Sequence, residues 1–137
     1  MSAEEKIEET SAFKPKFNKD GLITAIAQDA ATGQVLMVGY MNTEALDLTI
    51  KTGYATYFSR SRQKLWKKGE QSGHFQKVSQ ILVDCDQDCL ILKVTVDAGQ
   101  CHAGYASCFY RKVKTDTPGK LDFIAEKNYD PDQTYKK

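Results

Sequence analysis

Asp84, Asp86 and Asp88 place three carboxylates within five residues. Such a set repels itself unless it shares a hard cation, because Mg²⁺ and Ca²⁺ are bound by oxygen ligands. The opening DxDxD is that of an EF-hand, but the loop would need Gly at its sixth position and Glu at its twelfth, where this chain has Cys89 and Thr95. Interleaved with the aspartates and following them are all four cysteines, Cys85, Cys89, Cys101 and Cys108, whose soft thiolates suit zinc. None form the tight CxxC knuckles of a structural zinc site. One thiolate from Cys85 or Cys89, with Cys101 and Cys108, gives three ligands and an open fourth position, the design of catalytic zinc; such a zinc lowers the pKa of its bound water to roughly 7. Spacing does not choose between Cys85 and Cys89, and an unligated thiol is an ordinary fate for either. His102, next to Cys101, has three roles open to it: fourth ligand, general acid or base, or loop residue with its polar edge satisfied.

A second group precedes the first. Ser59, Arg60, Ser61 and Arg62, followed by Trp66, Lys68, Gly69, Glu70 and, more weakly, His74, gather positive charge, hydroxyls and an aromatic face. Phosphate and a flat base are natural guests: Arg binds the first through forked hydrogen bonds and Trp stacks on the second. A solvated basic loop is the plain alternative. An anion-binding loop beside a hydrolytic metal points to hydrolysis of a phosphorylated, nucleotide-like substrate.

The elements that must position these residues follow from pattern. Leu22–Ala27 and Val35–Met41 are apolar runs around Gly33 and predict a hairpin. Asn42 is an N-cap, Glu44 suits the first turn, and Gly53 ends a helix whose apolar face is Ala45, Leu46, Leu48, Thr49 and Ile50. Tyr54–Arg60 alternates like a strand and leads into a basic loop through His74. Val78–Val83 and Leu90–Val96 flank DCDQDC, which therefore joins two strands; were the first strand to continue through it, Cys85 would face away from the three aspartates. Gly99 and Gly104 bracket Cys101 and His102 in a loop, Ser107–Val113 predicts a last strand, and Phe123–Lys127 a short helix. The sum is an α+β domain, mostly antiparallel sheet with one main helix, over residues 20–114, with a flexible arm at 1–19 and a polar tail at 115–137.

The 137 residues suffice for one core. Lys and Arg (19) nearly balance Asp and Glu (18), which argues against a general nucleic-acid footprint. With neither a signal-peptide core nor a membrane-length apolar run, a cytoplasmic protein with no membrane partner is expected, its cysteines ligands or free thiols and not disulfides.

The motifs VLMVGYMNTEAL, YFSRSRQKLWKKGEQSGHFQ, VDCDQD and CHAGYASCFYR, in this order, resemble the phosphoribosyl-AMP cyclohydrolase family of histidine biosynthesis over about Leu22 to Val113. The resemblance implies zinc on Cys85, Cys101 and Cys108, leaving Cys89 an extra thiol, and magnesium on Asp84, Asp86 and Asp88. It implies an intertwined homodimer that shares each zinc, one subunit giving the first cysteine and its partner the other two. The implied reaction opens the adenine ring of 1-(5-phosphoribosyl)-AMP by adding water at C6 as the N1–C6 bond breaks; His102 is the candidate for moving the proton, and the basic loop and Glu70 are candidates for holding substrate. Gln100 and Ala103 depart from the family's usual Ala and Thr around the CH pair; neither is a metal ligand. A zinc deaminase is the rival enzyme, disfavoured because its HxE and PCxxC elements are absent. A zinc-stabilised nucleic-acid-binding module is the non-enzymatic rival, disfavoured by charge balance.

Overall fold

In the computed structural model of the protein, residues 6–96 and 104–127 are described. Alternation along β1 (Ile23–Asp29) buries Ile23, Ala25 and Ala27 on one face, and β2 (Val35–Met41) returns antiparallel beside it. Their turn is closed by the Gly33 amide donating to the Asp29 carbonyl (2.8 Å), with Gly33 at φ 79°, a conformation that glycine adopts without a Cβ penalty.

Helix α1 (Thr43–Thr52) lies where its caps predict. The Asn42 side chain accepts the Ala45 amide (2.8 Å), and Gly53 in the left-handed region donates to the Thr49 carbonyl. Replacing the cap, Asn42→Ala, should lower unfolding stability by about 1 kcal/mol, measurable by denaturant titration. Burial of Ala45, Leu46 and Thr49 turns one helix face to the sheet; Thr49 Oγ accepts the Thr56 amide (3.0 Å) and so ties the helix to the next strand.

Strands β5 (Lys77–Val83) and β6 (Cys89–Thr95) form the second hairpin, antiparallel as expected. The two hairpins join through a parallel β1–β6 pair, giving the order β2-β1-β6-β5. The parallel contact follows from burial. The inner faces of β1 and β6, with Leu90, Leu92 and Val94, are the most solvent-excluded, and residues 42–76 are long enough for the crossover a parallel pair needs. β5 lies at the sheet edge with Leu82 and Val83 exposed.

Three local expectations are corrected. The basic stretch is not all loop, because β4 (Lys64–Lys67) pairs antiparallel with β3 (Thr56–Ser59), Tyr57 opposite Trp66. Four residues in a run of like charge are too few for their alternation to show. The last strand is shorter than expected, β7 (Arg111–Val113), and it pairs with β8 (Leu121–Phe123) across a turn at Gly119. That pairing takes Phe123 into a strand, and residues 124–127 are irregular where a helix was expected.

Tyr57 is the largest fully buried side chain. It fits because Gly39 on β2 has no side chain: a Cβ there would lie 2.7 Å from Tyr57 Cδ1.

Candidate functional site

Strand β5 ends at Val83, so the alternation that would have turned Cys85 from the aspartates does not extend through DCDQD. A turn does the work instead. The Gln87 amide donates to the Asp84 carbonyl (3.1 Å), Gln87 has φ 61°, and Asp84 Oδ1 accepts the amides of Asp88 (2.9 Å) and Cys89 (3.1 Å). Folded back in this way, the oxygens of Asp84, Asp86 and Asp88 lie within 4.8 Å of one another. Hydrogen-bond sharing with Asp84, and then with Asp86, pushes the Asp88 carboxyl up to about 6. At Asp84 partial loss of solvent works upward, but hydrogen bonds from Asp88 and Cys89 outweigh it and hold the carboxyl below its usual range. Three carboxylates whose oxygens lie this close are a donor set that fits a hard divalent cation.

Of the thiols, Cys85 is exposed on this turn and Cys89 is half-buried at the start of β6. Burial pushes the Cys89 thiol up, and Asp84 and Asp88 beside it add to the shift, which disfavours the thiolate a metal needs. Cys108 lies elsewhere. Its amide donates to the Leu36 carbonyl (2.7 Å), and Ser107 Oγ donates to the Val35 carbonyl (2.6 Å), clamping the segment to the edge of β2. Cys101 and His102, with Gln100 and Ala103, lie outside the described residues.

The strand registers separate Cys85 from Cys108 within one chain. Cys89 is level with Thr24, whereas the β2 segment at Leu36 is level with Ala27 and Gln28, opposite Leu92 and Lys93. Three or four residues along the strands and two strand spacings across the sheet put the backbones of Cys89 and Leu36 roughly 14 Å or more apart. Two sulfurs on one zinc, each about 2.3 Å from it, lie no more than roughly 4.6 Å apart. Cys85, in the turn before Cys89, and Cys108, bonded to Leu36, lie toward the two ends of that span.

Near Cys108 the sheet opens into a cleft of about 500 Å³ lined by Met37, Val38, Gly39, Tyr40, Tyr57, Phe58, Ser59, Arg60, Ser61 and Trp66. The Arg60 guanidinium lies over the Tyr40 ring, 4.0 Å from its centre. Ser59 and Ser61 hydroxyls are 3.4 Å apart, and the Arg62 amide donates to Ser59 Oγ (3.3 Å). Tyr57, tilted against Trp66 with ring centres 5.7 Å apart, donates its phenol to Gln76 Oε1 at 2.6 Å. Burial, and secondarily the Cys108 thiol, push the Tyr57 phenol far above its ordinary range, so it stays a donor.

The structure thus gathers Ser59, Arg60, Ser61 and Trp66 around one cleft, with the Arg62 backbone at its rim. Lys68, Gly69, Glu70 and His74 do not line it. Lys68 is buried with its ammonium 5.9 Å from the centre of the Trp66 ring, Gly69 packs against Phe75, Glu70 is exposed, and His74 is half-buried on the same loop. Tyr40, Tyr57 and Gln76 were not singled out from the sequence. The one signal for Tyr57 was its place in the YATYFSR alternation, which does not distinguish a cleft floor from core.

A family model described as phosphoribosyl-AMP cyclohydrolase matches residues 37–110. A curated relative of that name from Methanococcoides burtonii is 58% identical over 88% of this chain and 94% of its own length. Another from Rhodopseudomonas palustris is 52% identical over 98% of the chain and 92% of its own, and one from Methanocella arvoryzae is 54% identical over 90% and 98%.

Proposed function

The chain belongs to the phosphoribosyl-AMP cyclohydrolase family, and from that premise we propose that the cleft of Arg60 and Trp66 holds phosphoribosyl-AMP while a zinc shared between two subunits serves its hydrolysis. The activity is that of the family, ring-opening hydrolysis of a small phosphorylated nucleotide in histidine biosynthesis. The observation that carries the proposed site is the separation of Cys85 from Cys108 across the sheet, with the cleft adjoining Cys108.

Arg60, flanked by the Ser59 and Ser61 hydroxyls, binds a phosphate, its guanidinium held over Tyr40 so that little rotamer freedom is lost. Trp66 offers its face to a base, with Tyr57 as the floor. Cys108 and Cys101 of one subunit, with Cys85 of the other, would hold zinc. Bound there, zinc would lower the pKa of a water enough to supply a nucleophile at neutral pH. His102 moves the proton to the ring nitrogen released. Asp84, Asp86 and Asp88 hold Mg²⁺ beside Cys85. Thiolate ligands need a reducing compartment, which favours the cytoplasm.

Exposed apolar side chains support a homodimer. Leu82 and Val83 precede the carboxylate turn, and Phe109 and Val113 follow Cys108, so both halves of the shared site are bordered by surface that a two-fold interface would cover. No helix among the described residues is long and apolar enough to cross a membrane.

Zinc-loaded protein given phosphoribosyl-AMP should show the ultraviolet change of ring opening, and none with adenosine or cytidine; absence of turnover by metal-replete dimer would sink this reading. In the same assay Arg60→Ala should raise KM about tenfold or more with zinc content unchanged, as expected for loss of a charge-assisted contact worth roughly 1.5–3 kcal/mol. An unchanged KM would remove Arg60 from the substrate site.

A further inference from the structure

Gln87 stands in the middle of the carboxylate turn yet belongs to none of the chemistry assigned to it. Its side chain is 3% exposed, whereas Asp84 and Asp88 on either side are open to solvent. What buries it is the N-terminal arm. Gln87 Oε1 accepts the Lys14 amide (2.6 Å), Nε2 donates to the Ala12 carbonyl (3.1 Å), and the Gln87 carbonyl accepts the Lys16 amide (2.7 Å). Alternate residues of one extended segment thus meet a single residue of the turn. The segment is fastened at its other end: Phe17 packs against the core, and Asn18 Oδ1 accepts the amides of Asp20 (2.9 Å) and Leu22 (3.0 Å) at the entry to β1.

We propose that Ala12–Lys16 is a strap that, through Gln87, holds Asp84, Asp86 and Asp88 converged, making Gln87 a positioning residue for the divalent cation they bind. The inference rests on the hard-cation reading above. Without a cation the turn has two reasons to open: three carboxylates within 4.8 Å repel, and Gln87 at φ 61° is in a region that non-glycine residues disfavour. Three hydrogen bonds from an anchored strap oppose both. A preformed turn binds its ion with less reorganisation, and partners one step removed from a metal commonly change its affinity 10- to 100-fold. A strap that merely covered the core would change thermal stability and leave cation affinity alone.

Calorimetric titration of the full-length protein with Mn²⁺ tests this without reference to activity. Gln87→Gly keeps the left-handed backbone and loses both side-chain bonds; it should raise Kd about tenfold. Lys14→Pro removes the amide that Gln87 accepts and should do the same, with little added in the double variant, while Lys14→Ala, which keeps the amide, should match the unmodified chain. Gln87→Asn, milder and tolerant of positive φ, should also bind less tightly. Wild-type affinity in both Gln87 variants would overturn the strap. Failure of the unmodified protein itself to bind Mn²⁺ would instead overturn the hard-cation reading, and the strap with it.

Discussion

Cys85→Ser and Cys108→Ser proteins, each without zinc and inert alone, are expected to recover about a quarter of wild-type turnover when equal amounts exchange subunits. The number follows from symmetry. Random exchange makes half the dimers hybrid, and in a hybrid one of two shared sites carries both mutations and the other carries neither. The structural reason is the separation across the sheet: Cys85 extends from the β5–β6 turn, and Cys108 is clamped by its amide to Leu36 at the opposite level of β2. Cys89→Ser should keep both zinc and activity, since its half-buried thiol is pushed up by desolvation and the neighbouring aspartates. Metal analysis of each variant checks the ligands, and turnover after exchange checks the sharing. Zinc retained by Cys108→Ser, or no recovery in demonstrated hybrids, would reject the arrangement.

The second large effect is expected of a residue that does not line the cleft. Gly69→Ala should lower stability by about 3 kcal/mol, a fall in Tm of roughly 10 °C, and reduce turnover at temperatures where the protein still folds. Gly69 has φ 99°, and a Cβ there would lie 2.7 Å from the Phe75 amide nitrogen and 2.8 Å from its Cα. Those atoms are backbone and cannot swing aside. They also belong to a loop that supports the cleft: the Lys68 amide donates to the Ala55 carbonyl, the Ala55 amide donates to the Gln76 carbonyl, and Gln76 holds the Tyr57 phenol. Gly73→Ala is the comparison. Its φ of 79° carries a similar backbone cost of about 1 kcal/mol, but nothing lies within 4 Å of its Cβ position. Equal melting temperatures for the two variants would show that the Phe75 contact is of no consequence.

The family was readable from the sequence, because four motifs in a fixed order are a signal of residue type and spacing along the chain. The sequence also places three carboxylates within five residues, and the turn brings their oxygens within 4.8 Å of one another. The helix between Asn42 and Gly53 and the two hairpins were readable for the same reason, since caps and alternation act over a few residues. Strands β4 and β8 were not, since three or four residues carry no period, and the last expected strand, Ser107–Val113, kept only its end as β7.

Tertiary structure decided what meets what. The aspartates converge through a turn with Gln87 left-handed and buried, not through a continuing strand, and the partner that buries Gln87 lies more than seventy residues away in sequence. The parallel register of β1 on β6 put Cys85 and Cys108 at opposite ends of one sheet. Such a register is set by which faces of distant strands lose solvent together, and no local pattern carries that information. Hence the sequence by itself determined the family and its reaction, while only the fold decided that one chain brings the three carboxylates together and sets Cys85 and Cys108 on different elements.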